Sequence, residues 1–325
     1  MCGRGNELPT YTRCMNVKSF CIDHPAATLL LALFIVCGAV SISAMWSDLP
    51  HQALVSSLTA LLSLVLLRLA LFGGLRKISA PSEGTRTAVG VGVVCAGLAG
   101  GAASLFFLLL AEHTAFLEIG TDLLSAVVRV LLVLIVCLGT GVYEEALFRG
   151  IAIPCLMCAF ALVGDDSRAR DGFPSRRTGT EYTAKTPPSR LTPLVKAVAV
   201  SAVLFAVLHL SGADAVTEST AAGSAYVAVV VALQLVLKLL EGVLFSICMA
   251  YLYVKSGSIW QPALVHGVFD LCALGPQLFA TSSVPSTYLT GSWSDAFAVL
   301  AAVIVLIPFT AVSIKHLASV KEHSL

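Results

Sequence analysis

The sequence predicts an all-α, polytopic membrane bundle, and three of its features do so. Hydrophobic residues make up 57% of the 325 and charged residues 12%, with a mean hydropathy of +0.90; a water-soluble domain carries about 25% charge. The apolar residues are gathered into runs long enough to cross a bilayer, which takes about 20 residues at 1.5 Å rise each. Outside these runs, Lys and Arg occur only in the two termini and in alternate connections, the pattern that orients membrane bundles. A net charge of +1 gives no footing for a nucleic-acid partner.

Eight apolar stretches follow one another: 26 to 46, 52 to 73, 88 to 111, 123 to 163, 193 to 210, 226 to 254, 258 to 280 and 295 to 314. The first follows Arg4, Arg13 and Lys18, as a signal peptide would. Its polar leader of 25 residues is long and no A-x-A cleavage site stands out, which favours an uncleaved span. In the third, Gly97 and Gly101 form a GxxxG helix-contact signal. The fourth is too long for a simple crossing. It is expected to cross once as a long or broken helix, with Gly139, Gly141 and Pro154 as break points. The polar segment 164 to 192, rich in Pro, Gly, Ser and charge, is expected to be a mobile loop.

Basic residues precede the first span, fill the second connection (Arg76, Lys77, Arg86) and the 164 to 192 loop, and recur at Lys255, Lys315 and Lys321; the intervening connections have none. Eight spans with both termini cytoplasmic satisfy that alternation. The expected layout is a leader at 1–25, three spans in 26–119, a core at 120–280 and a last span with its tail at 281–325. The ten cysteines form no evident disulfide framework, and the CxxC of Cys155 and Cys158 is expected to pack in the core.

Charge at bilayer depth is costly unless paired or used. Three clusters concentrate it. In VYEEALFRG, Glu144 and Glu145 lie about 100° apart on a helix, so their roles should differ. Glu145 and Arg149 have the i, i+4 spacing of an ion pair, which leaves Glu144 free to act as a base. Phe205 and His209 share a face at the end of the fifth span. His266 and Asp270 share another, where Asp270 can fix the His266 tautomer or project its own oxygen into the same cavity. One Glu, two His and one Asp on three helices can converge to bind a metal or activate a water.

Glu-Glu-x-x-x-Arg (144, 145, 149), Phe-x-x-x-His (205, 209) and His-x-x-x-Asp (266, 270) in this order resemble the CAAX protease and bacteriocin-processing (CPBP) family of intramembrane proteases, over residues 120 to 280. The words EEALFRG and SIWQPALVHGVFD are similar to that family's as well. Asp270 stands where many members have Asn. The resemblance implies hydrolysis of a peptide bond in a membrane-associated peptide or protein substrate. Glu144 would activate water, with His209 sharing that water or ligating a metal. His266 and Asp270 would bind the metal or stabilise the oxyanion, and Glu145 with Arg149 would hold the helix in register. The implied metal set is Glu144, His209, His266 and Asp270, for Zn2+ or another divalent ion; a metal-free glutamate mechanism is the alternative. The implied location is the plasma membrane of a bacterium or the endoplasmic reticulum of a eukaryote. A second class of function is an ion- or proton-coupled transporter using the same polar residues, and a third is a non-catalytic immunity or scaffold relative.

Depth poses a difficulty for this reading. His209 lies about 24 Å of helical rise from Pro193, and His266 only about 14 Å of chain from Lys255. Elsewhere, Lys238 and Glu241 are expected to pair at i, i+3, and Arg68 and Arg129 to reach towards helix ends.

Overall fold

The computed structural model describes residues 24–45, 48–70, 83–110, 123–160, 193–210, 225–281, 289 and 291–319. The leader, the 164 to 192 segment and the distal part of the tail lie outside the described residues. Among the described residues the chain is helical throughout, without strands: α1 (Pro25–Met45), α2 (Leu49–Ala70), α3 (Glu83–Leu110), α4 (Leu123–Glu145, continuing to Phe160), α5 (Pro193–Leu208), α6 (Ala225–Ser256), α7 (Trp260–Ala273), α8 (Gly275–Thr281) and α9 (Trp293–Ser319). Five of these are long and apolar enough to cross a membrane, namely the helices containing Leu49–Arg68, Gly84–Leu105, Leu123–Phe160, Val227–Ser256 and Trp293–Ser319. The stretch expected to span 258 to 280 divides instead into α7 and the short α8. Leu58, Leu61, Leu98, Leu131, Val236 and Ile304 point outward and are exposed. Such outer surfaces suit lipid rather than water.

Helix α4 is broken in the turn that precedes Pro154, one of the expected break points. It changes to a π-helical turn over Ala146–Ala152, every residue of which is buried, and resumes as an α-helix from Ile153. Gly139 and Gly141 lie in the regular helix before it and Pro154 just after it. A π turn disturbs the ordinary carbonyl pairing. The Phe148 carbonyl is satisfied by the Ile153 N–H and by Ser201 Oγ of α5 at 3.4 Å.

Helix α7 is the short central element, packed against α3, α4 and α6. Two glycines let its backbone come this close. A Cβ at Gly100 would lie 2.6 Å from the Phe269 carbonyl oxygen, and one at Gly141 would lie 2.6 Å from that of Ala263. The close contact on α3 is therefore at Gly100, not at the GxxxG pair. Gly101 has nothing within 4 Å of its Cβ position, and Gly97 only ordinary contacts at 3.9 and 4.0 Å. Ser104 Oγ then ties α3 to the end of α7 through the carbonyls of Cys272 and Ala273 at 2.5 and 2.8 Å.

The tight turn from α6 to α7 uses Gly257 at φ 65°, a left-handed conformation natural for glycine after a helix. It also resolves the difficulty over depth. Phe148, Phe205 and Phe245 touch, with ring centroids 5.1 and 6.2 Å apart along the series, so they share one level. By helical rise that level is about 18 Å from residues 160 and 193 and about 16 Å from Ser256. Ile259, at the start of α7, lies beside Gly150, its Cγ2 3.5 Å from that residue's Cβ position. Helix α7 thus begins inside the bundle, and His266 reaches the aromatic level after only about 9 Å of rise from Trp260.

Candidate active site

All six polar residues singled out by sequence converge. Glu144, Glu145 and Arg149 come from the junction of α4 with its π turn, His209 from just beyond α5, and His266 and Asp270 from one face of α7. The Arg149 guanidinium is fully buried. Its Nη1 lies 3.1 Å from Glu145 Oε1, its Nη2 donates to the Ser246 carbonyl and hydroxyl at 3.2 and 3.0 Å, and the cation sits 4.8 Å from the Phe205 ring centre. The i, i+4 pairing thus persists across the helix irregularity.

Glu145 does more than the pairing implied. Its Oε1 also accepts a hydrogen bond from His266 Nδ1 at 2.8 Å. A carboxylate only accepts, so Nδ1 carries the proton and Nε2 faces the opposite way. The expectation that Asp270 fixes the His266 tautomer is corrected: Asp270 Oδ2 lies 3.7 Å from His266 Nε2, on the far side of the ring. This is the other arrangement the sequence allowed, in which Asp270 supplies an oxygen to the same locus. The partner of Nδ1 was missed because it lies 121 residues away in sequence, where no helical spacing points.

His209 is held in the same manner. Its Nδ1 donates to the Phe205 carbonyl at 2.8 Å, and in the neutral ring this leaves Nε2 as an acceptor, 3.5 Å from Glu144 Oε2. The Phe205 ring lies against the imidazole with centroids 4.2 Å apart, as their shared face predicts. Phe245 of α6 packs edge-on to His266 at 4.8 Å. Glu144 is thereby surrounded. Its Oε1 accepts from the Tyr143 hydroxyl at 3.1 Å, and its Oε2 lies 3.5 Å from His209 Nε2 and 3.7 Å from His266 Nε2. That Oε2 is buried and has no hydrogen-bond partner among the described residues. A buried unpaired carboxylate oxygen between two imidazoles is suited to accept a proton.

The same locus can be tested against a metal. Tetrahedral Zn2+ with ligands at about 2.0–2.2 Å separates its donor atoms by about 3.3–3.6 Å. The two Glu144–His separations are close to that range, but among the described residues no three His, Cys, Asp or Glu side chains come together in an arrangement that holds a metal ion. The chemistry below is derived from the side chains themselves.

Outside the site, Lys238 and Glu241 pair at 2.6 Å as their spacing predicts. Cys155 is buried and Cys158 partly buried, in keeping with packing in the core. Sequence reasoning missed Tyr143, Ser246 and Phe245, which carry no charge and so do not stand out in an apolar helix.

Residues 126–272, from early α4 to near the end of α7, match the family model described as type II CAAX prenyl endopeptidase Rce1-like. No curated protein and no solved structure matches the chain.

Proposed function

We propose that this chain, a member of the CAAX protease family by its match over residues 126–272, is an intramembrane endopeptidase that cleaves a membrane-associated peptide by glutamate-assisted attack of water. The observation that carries this reading is the convergence of Glu144, His209, His266 and Asp270, from three separate helices, on one buried locus. Glu144 Oε2 and His209 Nε2 are both acceptors, so a water between them donates one hydrogen to each and turns a lone pair towards the substrate. As that lone pair forms the C–O bond, a water O–H bond breaks and the proton passes to Glu144 Oε2. The carbonyl π pair moves onto oxygen, and an Nε2–H of His266 in its imidazolium form stabilises the oxyanion. Collapse expels the amine, which takes the proton back from Glu144.

Glu145 orients His266 through Nδ1 and is itself held by Arg149. Asp270 lies beside the Nε2 end of the ring. The substrate class proposed is the one in the family description, a CAAX peptide at the end of a prenylated protein. The proposed bundle has eight membrane-crossing segments, the seventh made by α7 and α8 together, and cytoplasmic termini, from the placement of its basic residues.

Purified protein in liposomes tests this with a prenylated CAAX peptide and a membrane-peptide library. Cleavage abolished by Glu144→Ala and by His209→Ala is expected. Ion flux without cleavage, sensitive to the same substitutions, would replace the protease by a transporter. Metal analysis of the active protein is the companion measurement: a bound divalent ion lost with His209→Ala and with His266→Ala would replace the glutamate mechanism by a metal-assisted one.

A further inference from the structure

Among the described residues, Tyr143 is a buried polar group in direct contact with Glu144 that none of the steps above uses. Its side chain is carried by the last turn of regular helix in α4, and its hydroxyl donates to Glu144 Oε1 at 3.1 Å. The two oxygens of Glu144 therefore have different surroundings. Oε1 is engaged by the tyrosine, whereas Oε2 is buried, without a hydrogen-bond partner among the described residues, and directed between His209 and His266.

A glutamate has three rotatable bonds, and its two oxygens exchange by rotation of the carboxylate. In an apolar setting a hydrogen bond to one oxygen of a carboxylate is among the stronger neutral-to-charged contacts and selects one orientation. We propose that Tyr143 is a positioning residue for the reaction: its hydroxyl anchors Glu144 Oε1 and so holds Oε2 where the water must be deprotonated. The ordinary alternative is that Glu144 merely satisfies the hydroxyl of a buried tyrosine, which usually finds some partner. The two differ in what is lost with the hydroxyl. In the ordinary case only stability falls; in the proposed one turnover falls while substrate binding is kept.

The proposal rests on Glu144 acting as the base, and the test separates the two. Tyr143→Phe preserves the ring and its packing. It is expected to lower kcat by about 10- to 100-fold with KM within about twofold, the loss of one charge-assisted hydrogen bond made to the reacting group. Glu144→Asp draws the carboxylate back by one methylene and away from the tyrosine. In that background Tyr143→Phe is expected to cost less than about threefold more, because the contact it removes is already gone. A kcat for Tyr143→Phe within about twofold of wild type, or full additivity of the two substitutions, overturns the positioning role. If Glu144→Ala abolishes cleavage while Tyr143→Phe is silent, the tyrosine proposal alone fails; if Glu144→Ala still cleaves, the base assignment fails with it. Should Tyr143→Phe not fold, Tyr143→His, which retains a ring donor, is expected to turn over faster than Tyr143→Leu, and equal rates overturn the proposal.

Discussion

Glu145→Ala removes the carboxylate that Arg149 and His266 share, and leaves a guanidinium where neither lipid nor water can compensate it. Both partners of the Glu145–Arg149 pair are fully buried, at 0% side-chain exposure and 3.1 Å apart. Breaking a buried pair by deleting one member costs about 3–5 kcal/mol, because the other charge remains desolvated. At about 2 °C per kcal/mol for a large chain, Tm should fall by about 6–10 °C. The penalty belongs to the stranded charge and not to lost packing, so Glu145→Ala/Arg149→Met, which removes both charges and fills the arginine's stem volume, should regain most of that loss. Activity should not return with it, since His266 Nδ1 still lacks its acceptor. Thermal unfolding in detergent and peptide cleavage are measured on the same preparations. A double variant no more stable than Glu145→Ala alone would refute the argument that the pair's cost is electrostatic, and a double variant with wild-type turnover would refute the role of Glu145 in orienting His266.

Two further outcomes follow from the geometry. Asp270→Asn keeps the size of the side chain and an oxygen near His266 Nε2, so kcat should stay within about tenfold, whereas Asp270→Leu, which leaves no oxygen there, should lose about 100-fold or more in the cleavage assay. Gly100→Ala places a Cβ 2.6 Å from the Phe269 carbonyl oxygen and should cost about 1–3 kcal/mol in thermal unfolding, whereas Gly101→Ala, with open space at its Cβ, should change stability by no more than about 0.5 kcal/mol.

The helical membrane character and the six candidate residues that converge were legible because both signals are extreme. Long apolar runs have few solvents to choose from, and Glu144, Glu145, Arg149, His209, His266 and Asp270 stand out against them. Spacing along a single helix also succeeded where the contact is local, as for Glu145 with Arg149, Phe205 with His209 and Lys238 with Glu241. It failed where the contact crosses between helices. The i, i+4 rule pointed His266 towards Asp270, although its Nδ1 is taken by Glu145 from another helix. Glycine misled in the same way: Gly139 and Gly141 lie in regular helix, and α4 departs from it over Ala146–Ala152, in the turn before Pro154, which has no N–H to give the Gly150 carbonyl. The GxxxG pattern marked the right helix, and its Gly97 faces Val268 and Cys272 of α7 at ordinary distance, but the close backbone approach is one turn on at Gly100, outside the pattern.

The placement of α7 links these misses. A helix of 14 residues is too short to cross a bilayer alone, and this one starts beside Gly150, against α4. That start is possible because Gly257 turns the chain back sharply after α6, and because Gly100 and Gly141 leave room for the α7 backbone between α3 and α4. The recess carries His266 to the aromatic level shared by Phe148, Phe205 and Phe245, where the junction of α4 with its π turn delivers Glu144 and Glu145. Of the residues that meet there, the Glu144 and His266 side chains are 7% and 3% exposed, while that of His209 is 32% exposed. In the proposed reaction an extended peptide would approach Glu144 along the His209 side. The imidazole that shares the water would then be the first polar group the scissile bond meets, and the one whose loss should impair both binding of the water and access to it.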